Sequence, residues 1–114
     1  MTQSHLQIEA RPIARFFPGT IRVDKRRYPD IDAIIAVAQA AGLRHLKQEI
    51  LFEGDEEELG SDFLKLVRKK GYSMLHLLAE HDYQVGLIQL EQALQTDSLK
   101  ARRAGETLIW FRKE

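Results

Sequence analysis

The residues best equipped for chemistry here are histidines and acids, and their spacing favours no reaction. His76 and His81 lie five apart, whereas two imidazoles sharing one helix face need a separation of four. Joined by His45 and Asp82 they would form a metal cluster only if the fold gathered them. The spacing reads instead as ordinary surface or hydrogen-bonded histidines. Glu53 and the run "DEEE" (55–58) could draw a hard cation, but they lack the spaced oxygens of a calcium loop, and a solvated acidic turn is the reading. No Ser, His and Asp stand in a spacing that supports nucleophilic catalysis.

Three short stretches, "DKRRY", "VRKKGY" and "KARR", carry bases, two of them beside a tyrosine. Basic residues interleaved with aromatics can bind nucleic acid. Lys plus Arg equals Asp plus Glu at 17 each, however, so the chain has no overall pull toward a polyanion. The stretches read as solvated helix ends and loops, and nucleic acid is not an expected partner. Phe16, Phe17, Tyr72 and Met74 form the candidate pocket lining, with burial in the core as the competing reading.

These residues sit in a chain of 114 residues, the size of one domain. With 44% apolar and 30% charged residues it is globular in composition. There is no cysteine, which excludes disulfides and thiolate metal sites. No apolar run reaches the ~18 residues of a membrane span, and the N-terminus lacks a signal-length apolar stretch. The expected location is cytoplasmic.

Residues 1–10 alternate Leu6 and Ile8 and are expected as a strand or frayed tail. "RPIARFFPGTIRVDKRRYPD" holds all three prolines and is expected as an extended connection or short turns. "PDIDAIIAVAQAAG" predicts a helix capped by Asp30, with Ile31, Ile34, Ile35, Ala38 and Ala41 on one stripe and Gly42 as its left-handed stop. "RHLKQEILFE" (44–53) predicts a half-buried strand with Leu46, Ile50 and Phe52 inward. An acidic loop follows. Ser61 is expected to cap a helix with Phe63, Leu64 and Val67 inward, and Ser73 to begin a further turn. Tyr83, Leu87, Leu90 and Leu94 predict a helix over about 80–95. Gly86, mid-helix, points to close approach by another backbone, since it costs ~1 kcal/mol relative to Ala. "TDSLKARRAGE" is expected as a polar loop.

The final strand, "TLIWFRK", sets Leu108, Ile109, Trp110 and Phe111 side by side. It lacks the alternation of a strand with one wet face and so reads as central, buried on both faces. The earlier strand reads as an edge. Two strands alone do not make a stable sheet, so the count leaves one strand missing beside "LIWF".

The order of "ARFFPGTIRVDKRRYPDIDAIIAVAQAAGL", "YSMLHLL", "YQVGLIQLEQAL" and "ETLIWFRK" resembles the C-terminal part of class I S-adenosylmethionine-dependent methyltransferases of the small-molecule type. The resemblance covers about residues 11–113. It rests on Phe16-Phe17-Pro18, Pro29-Asp30, Ala41-Gly42-Leu43, Ser73-Met74-Leu75 and Tyr83 to Leu87. It implies that 45–53 is that family's sixth strand, that about 61–96 is a helical insertion, and that "ETLIWFRK" is the seventh strand, antiparallel and lying between the fifth and sixth. It also implies that Phe16, Phe17, Tyr72 and Met74 lie on the substrate side. The family's Gly-rich cofactor loop and the acidic residue that holds the ribose have no counterpart here.

The expected fold is a small helix-rich α+β domain over 11–114, built around an antiparallel strand pair like the C-terminal part of a Rossmann-like methyltransferase, with its sheet completed by a second chain. The expected function is that of a methyltransferase-like substrate lid or interaction module, not competent in catalysis alone. The alternatives are a subunit of a split enzyme acting with a cofactor-binding partner, and a small apolar-ligand binding domain. No cofactor is expected for the chain alone, and S-adenosylmethionine only for an assembled enzyme. A homo-oligomer or a cofactor-domain partner is expected, with Leu108, Ile109, Trp110 and Phe111 as the pairing strand.

Overall fold

The structure, a computed structural model, describes residues 1–95 and 98–114. It is a small α+β domain. Helix α1 spans His5–Ala10, a 3-10 turn Pro12–Arg15, α2 Gly19–Arg27 and α3 Ile31–Ala40. Strands β1 (Leu43–Leu51) and β2 (Glu56–Leu59) follow, then α4 (Ser61–Arg68), a 3-10 turn at Ser73–Leu77, α5 (Glu80–Ala93), β3 (Leu99–Arg102) and β4 (Glu106–Lys113). The strands form two separate antiparallel pairs, β1 with β4 and β2 with β3.

Of the expected strand or frayed tail at residues 1–10, only Thr2 is strand-like, in a bridge to Thr107, and His5–Ala10 is helical. Ser4 and Gln7 form a reciprocal capping box, in which Ser4 Oγ accepts from the Gln7 N–H and Gln7 Oε1 from the Ser4 N–H. That box starts α1 and turns Ile8 into the core. The proline-rich stretch is also helical where turns were expected. Pro12 occupies the first turn of its 3-10 segment and Pro18 the position before α2. A proline there gives up a backbone N–H that has no intrahelical partner in any case.

The expected acidic loop contains β2, and the expected polar loop contains β3. Glu residues suit strands poorly, but here Glu56 faces Arg102 and Glu58 faces Lys100 across the pair. Opposite charges across a ladder stabilise it, and the ion pair formed is the diagonal one, Lys100 Nζ to Glu56 Oε1 at 3.6 Å. Thr96 and Asp97, within the expected loop and insertion, lie outside the described residues.

Other expectations hold in detail. Asp30 caps α3 and Gly42 adopts φ +90° after it. In α4 Val67 is buried while Phe63 and Leu64 are half-buried, although Gly60 rather than Ser61 is the cap and the Ser61 side chain makes no capping bond. In α5 Tyr83 and Leu90 are buried. A Cβ on Gly86 would lie 2.5 Å from the Phe16 carbonyl oxygen, which is the close backbone approach its position calls for.

The core lies between the first 3-10 turn, α4, the second 3-10 turn and α5. Phe17 is 1% exposed and stacks on Tyr83 with ring centroids 6.0 Å apart. The β1–β4 pair, with α3 packed on β1, forms a second layer. In that layer Leu46 and Ile50 are 50% and 51% exposed and Phe52 also lies open, against the expectation that all three point inward. A β-bulge between His45 and Lys47 shifts the register there. A bulge resets which residues share a face, which accounts for Leu46, while Phe52 lies past the end of β1 with φ +63°.

Candidate functional site

The feature that stands out is the far edge of β4. On its near side β4 pairs with β1 from Leu51↔Glu106 to Leu43↔Lys113. On its far side only Thr2 meets it among the described residues, in an antiparallel bridge. The Thr2 N–H donates to the Thr107 carbonyl at 2.9 Å, and the Thr107 N–H to the Thr2 carbonyl at 2.6 Å. Side chains lock this corner: the Thr107 hydroxyl donates to Gln7 Oε1 at 2.9 Å and both residues are buried.

Backbone groups alternate sides along an antiparallel strand. Because Thr107 turns its pair toward Thr2, Ile109, Phe111 and Lys113 turn theirs to the same side. Among the described residues no backbone bond reaches them from that side. Three N–H and three C=O groups thus form an open edge. Unpaired backbone groups of this kind template another strand.

Leu108, Ile109, Trp110 and Phe111 are half-buried, not the fully covered central strand their composition predicts. Lys47 lies over the Trp110 ring at 4.4 Å, and His45 tilts against Phe111 with centroids 5.9 Å apart. His45 Nε2 is buried with no hydrogen-bond partner.

Tyr72 and Met74 share a cleft of about 420 Å³ with Ile13, Leu59, Phe63 and Arg103. Burial, and then the negative Glu57, raise the Tyr72 hydroxyl above its ordinary pKa. Phe16 and Phe17 do not line the cleft; they pack in the core against α5, in the same buried cluster that Ile13 and Met74 join. Glu57, Glu58, Arg11 and Glu106 also line the cleft.

The basic stretches are largely engaged locally. Arg27 lies 3.4 Å from Asp24 Oδ1 and donates to Ser73 Oγ at 2.9 Å, and Lys25 pairs with Glu9. Arg68 meets Glu91, Lys70 meets Glu80 and Lys100 meets Glu56. Buried Asp24 also takes a bond of 2.7 Å from Arg11. His76 and His81 are exposed on separate elements. Among the described residues no group of three or more His, Asp or Glu is placed to hold a metal ion, and no helix is long and apolar enough to cross a membrane.

No family model, curated protein or solved structure matches the chain.

Proposed function

We propose that this chain is an interaction module that takes a strand from another polypeptide along the open edge of β4, and that it has no catalytic activity by itself. One observation carries the reading: Ile109, Phe111 and Lys113 present unpaired backbone groups in a row, flanked by apolar side chains. Strand addition satisfies those groups and lengthens the apolar faces on both sides. Ile109→Pro is the test. It removes an edge-facing N–H while sparing the β1 ladder, and edge positions tolerate proline. Loss of strand capture with the fold retained is expected; undiminished capture would exclude this edge.

A methyltransferase-like substrate-lid character fits the same geometry. Helix α3 runs through Ala41-Gly42-Leu43 into β1, helices bracketed by the added β2–β3 pair follow, and β4 returns antiparallel beside β1. That is the order the resemblance implies for the sixth and seventh strands. Calorimetric titration with S-adenosylmethionine should give no binding heat, and binding at micromolar strength would refute the expectation that the chain alone holds no cofactor.

A second reading, a subunit of a split methyltransferase, draws support from Thr2. Its bridge to Thr107 is antiparallel, the direction that the resemblance implies for a fifth strand beside the seventh. Under this reading a partner carries the cofactor-binding half and S-adenosylmethionine, and mixing the two chains restores methyl transfer. Failure to restore it would remove the reading.

A further inference from the structure

The open edge of β4 fits one strand particularly well, which is β4 of a second copy. We infer that two copies of this chain pair through β4 in an antiparallel two-fold register centred on Phe111. The inference rests on the edge reading above and names its occupant.

The register follows from what is free. Only Ile109, Phe111 and Lys113 turn unpaired backbone groups outward, since Thr107 is already bonded to Thr2. A two-fold axis makes each residue i face a residue j for which i plus j is constant. Centred on Phe111, the axis sets Phe111 opposite the partner's Phe111, Ile109 opposite the partner's Lys113, and Lys113 opposite the partner's Ile109. Every outward backbone group is then paired and the Thr2 bridge stays intact. Centring on Ile109 would require Thr107 to bond the partner's Phe111 and so displace Thr2. Centring on Trp110 would set Glu106 against the partner's Glu114 and leave Lys113 unpaired as long as Thr2 holds Thr107.

The side chains agree with the Phe111 register. Trp110 falls opposite the partner's Arg112 and Arg112 opposite the partner's Trp110, on one face. Lys47 already covers the Trp110 ring from the β1 side, and Arg112 is exposed, so a guanidinium can stack on the ring from the dimer side. Glu114 falls beside the partner's Leu108, where the partner's Met1 lies next to its bridged Thr2, so the pairing requires the exposed Met1 to turn aside while Thr2 keeps its bonds. No like charges stand directly opposite one another, which is the pairing that destabilises a ladder. The chain's zero net charge adds no general repulsion between copies.

Because the chain has no cysteine, one introduced thiol reports the register. Directly opposed Cα atoms in a hydrogen-bonded pair lie about 5.5 Å apart, within disulfide reach. Phe111→Cys should therefore cross-link two copies on oxidation, and Lys113→Cys, four residues off its own counterpart, should not. Should Phe111→Cys fail to fold, sedimentation of the unaltered chain decides: a concentration-dependent dimer is expected, weakened about tenfold by Arg112→Ala through loss of two cation–π contacts. A monomer at all concentrations, or cross-linking through Lys113→Cys instead, overturns the inference. Hydrogen exchange separates that failure from failure of the edge reading. A monomer with fast-exchanging amides at Ile109, Phe111 and Lys113 keeps the edge open and rejects only the second copy. A monomer in which those amides are protected rejects both.

Discussion

Gly86 of α5 and Phe17 touch so closely that a Cβ at Gly86 would lie 2.5 Å from two carbons of the Phe17 ring. The same Cβ would collide with the Phe16 carbonyl, which is backbone and cannot rotate away. Gly86→Ala should therefore destabilise the fold by about 1–3 kcal/mol from overpacking, despite the ~1 kcal/mol that alanine gains in an unhindered helix. Urea denaturation of the variant measures the balance. A variant as stable as the parent would mean that the Phe16–Phe17 segment can move aside.

Asp30 Oδ1 accepts from the Ile31 N–H at 2.8 Å and the His5 N–H at 3.1 Å, joining the start of α3 to the start of α1. Those bonds, the one from His5 first, hold its carboxyl below the ordinary value of 3.8. A depressed carboxylate stabilises the fold fully above its unfolded pKa and ceases to as pH falls through the lower folded value. Asp30→Ala should cost about 1 kcal/mol at neutral pH as a lost cap. Its stability should also change less with acidification than the parent's below pH about 4. Denaturation midpoints across that range test both.

Tyr72 and Tyr83 are expected to act at the other end of the scale. Burial comes first in raising both hydroxyls above 10.0, with Glu57 assisting at Tyr72 and Glu80 at Tyr83. The neutral Tyr83 hydroxyl also donates to the Val67 carbonyl at 2.8 Å. A raised pKa makes the contribution complete below the unfolded value and lost as pH climbs through the folded one. Stability should hold up to about pH 10 and decline beyond it, with a smaller alkaline decline in Tyr83→Phe. An unchanged alkaline limb in that variant would count against the assignment.

Thr107→Val removes the hydroxyl that donates to Gln7 while nearly keeping its shape. Gln7 Oε1 still accepts from Ser4, so the expected loss is about 1 kcal/mol. The Thr2 bridge should loosen with it, seen as faster exchange of the Thr107 amide. Equal exchange would show that the backbone alone holds Thr2.

Glu56→Lys places a like charge beside Lys100, its ion-pair partner, and opposite Arg102. Destabilisation of about 0.2–1 kcal/mol is expected, and the double change with Lys100→Glu should restore most of it. A cycle with no coupling would show that the charges do not determine this pairing.

Local signals were easiest to read where one rule acted alone. Asp30, Gly42 and the α5 stripe each specify a helix boundary or face within a few residues, and the structure has all three. Strand β2 was hidden because three successive glutamates argue against a strand until Lys100 and Arg102 are known to lie across from them. Helix α2 was hidden because Pro12, Pro18 and Pro29 resemble loop punctuation, whereas they flank helical segments. Leu46 was misplaced by alternation because the bulge beside it depends on the pairing of β1 with β4. The open edge of β4 was half legible. Four adjacent apolar residues announced a strand short of a neighbour, but not that Thr2 would occupy its first position. All four candidate pocket residues join or pack against one core cluster, and that only Tyr72 and Met74 also line the cleft depends on long-range packing that no local pattern encodes.

The main apolar cluster draws no buried member from α3, β1 or β4. The layer that carries the open edge is therefore anchored by strand pairing, the Thr2 corner and the Asp30 bonds more than by shared core. Segments with few buried contacts open at lower free energy than the rest of a domain. On warming, this layer should detach while α4, α5 and the Phe16–Phe17 segment stay folded, giving two melting steps in place of one. A ligand strand on β4 would raise the lower step alone, since binding stabilises only the unit that must be folded to bind.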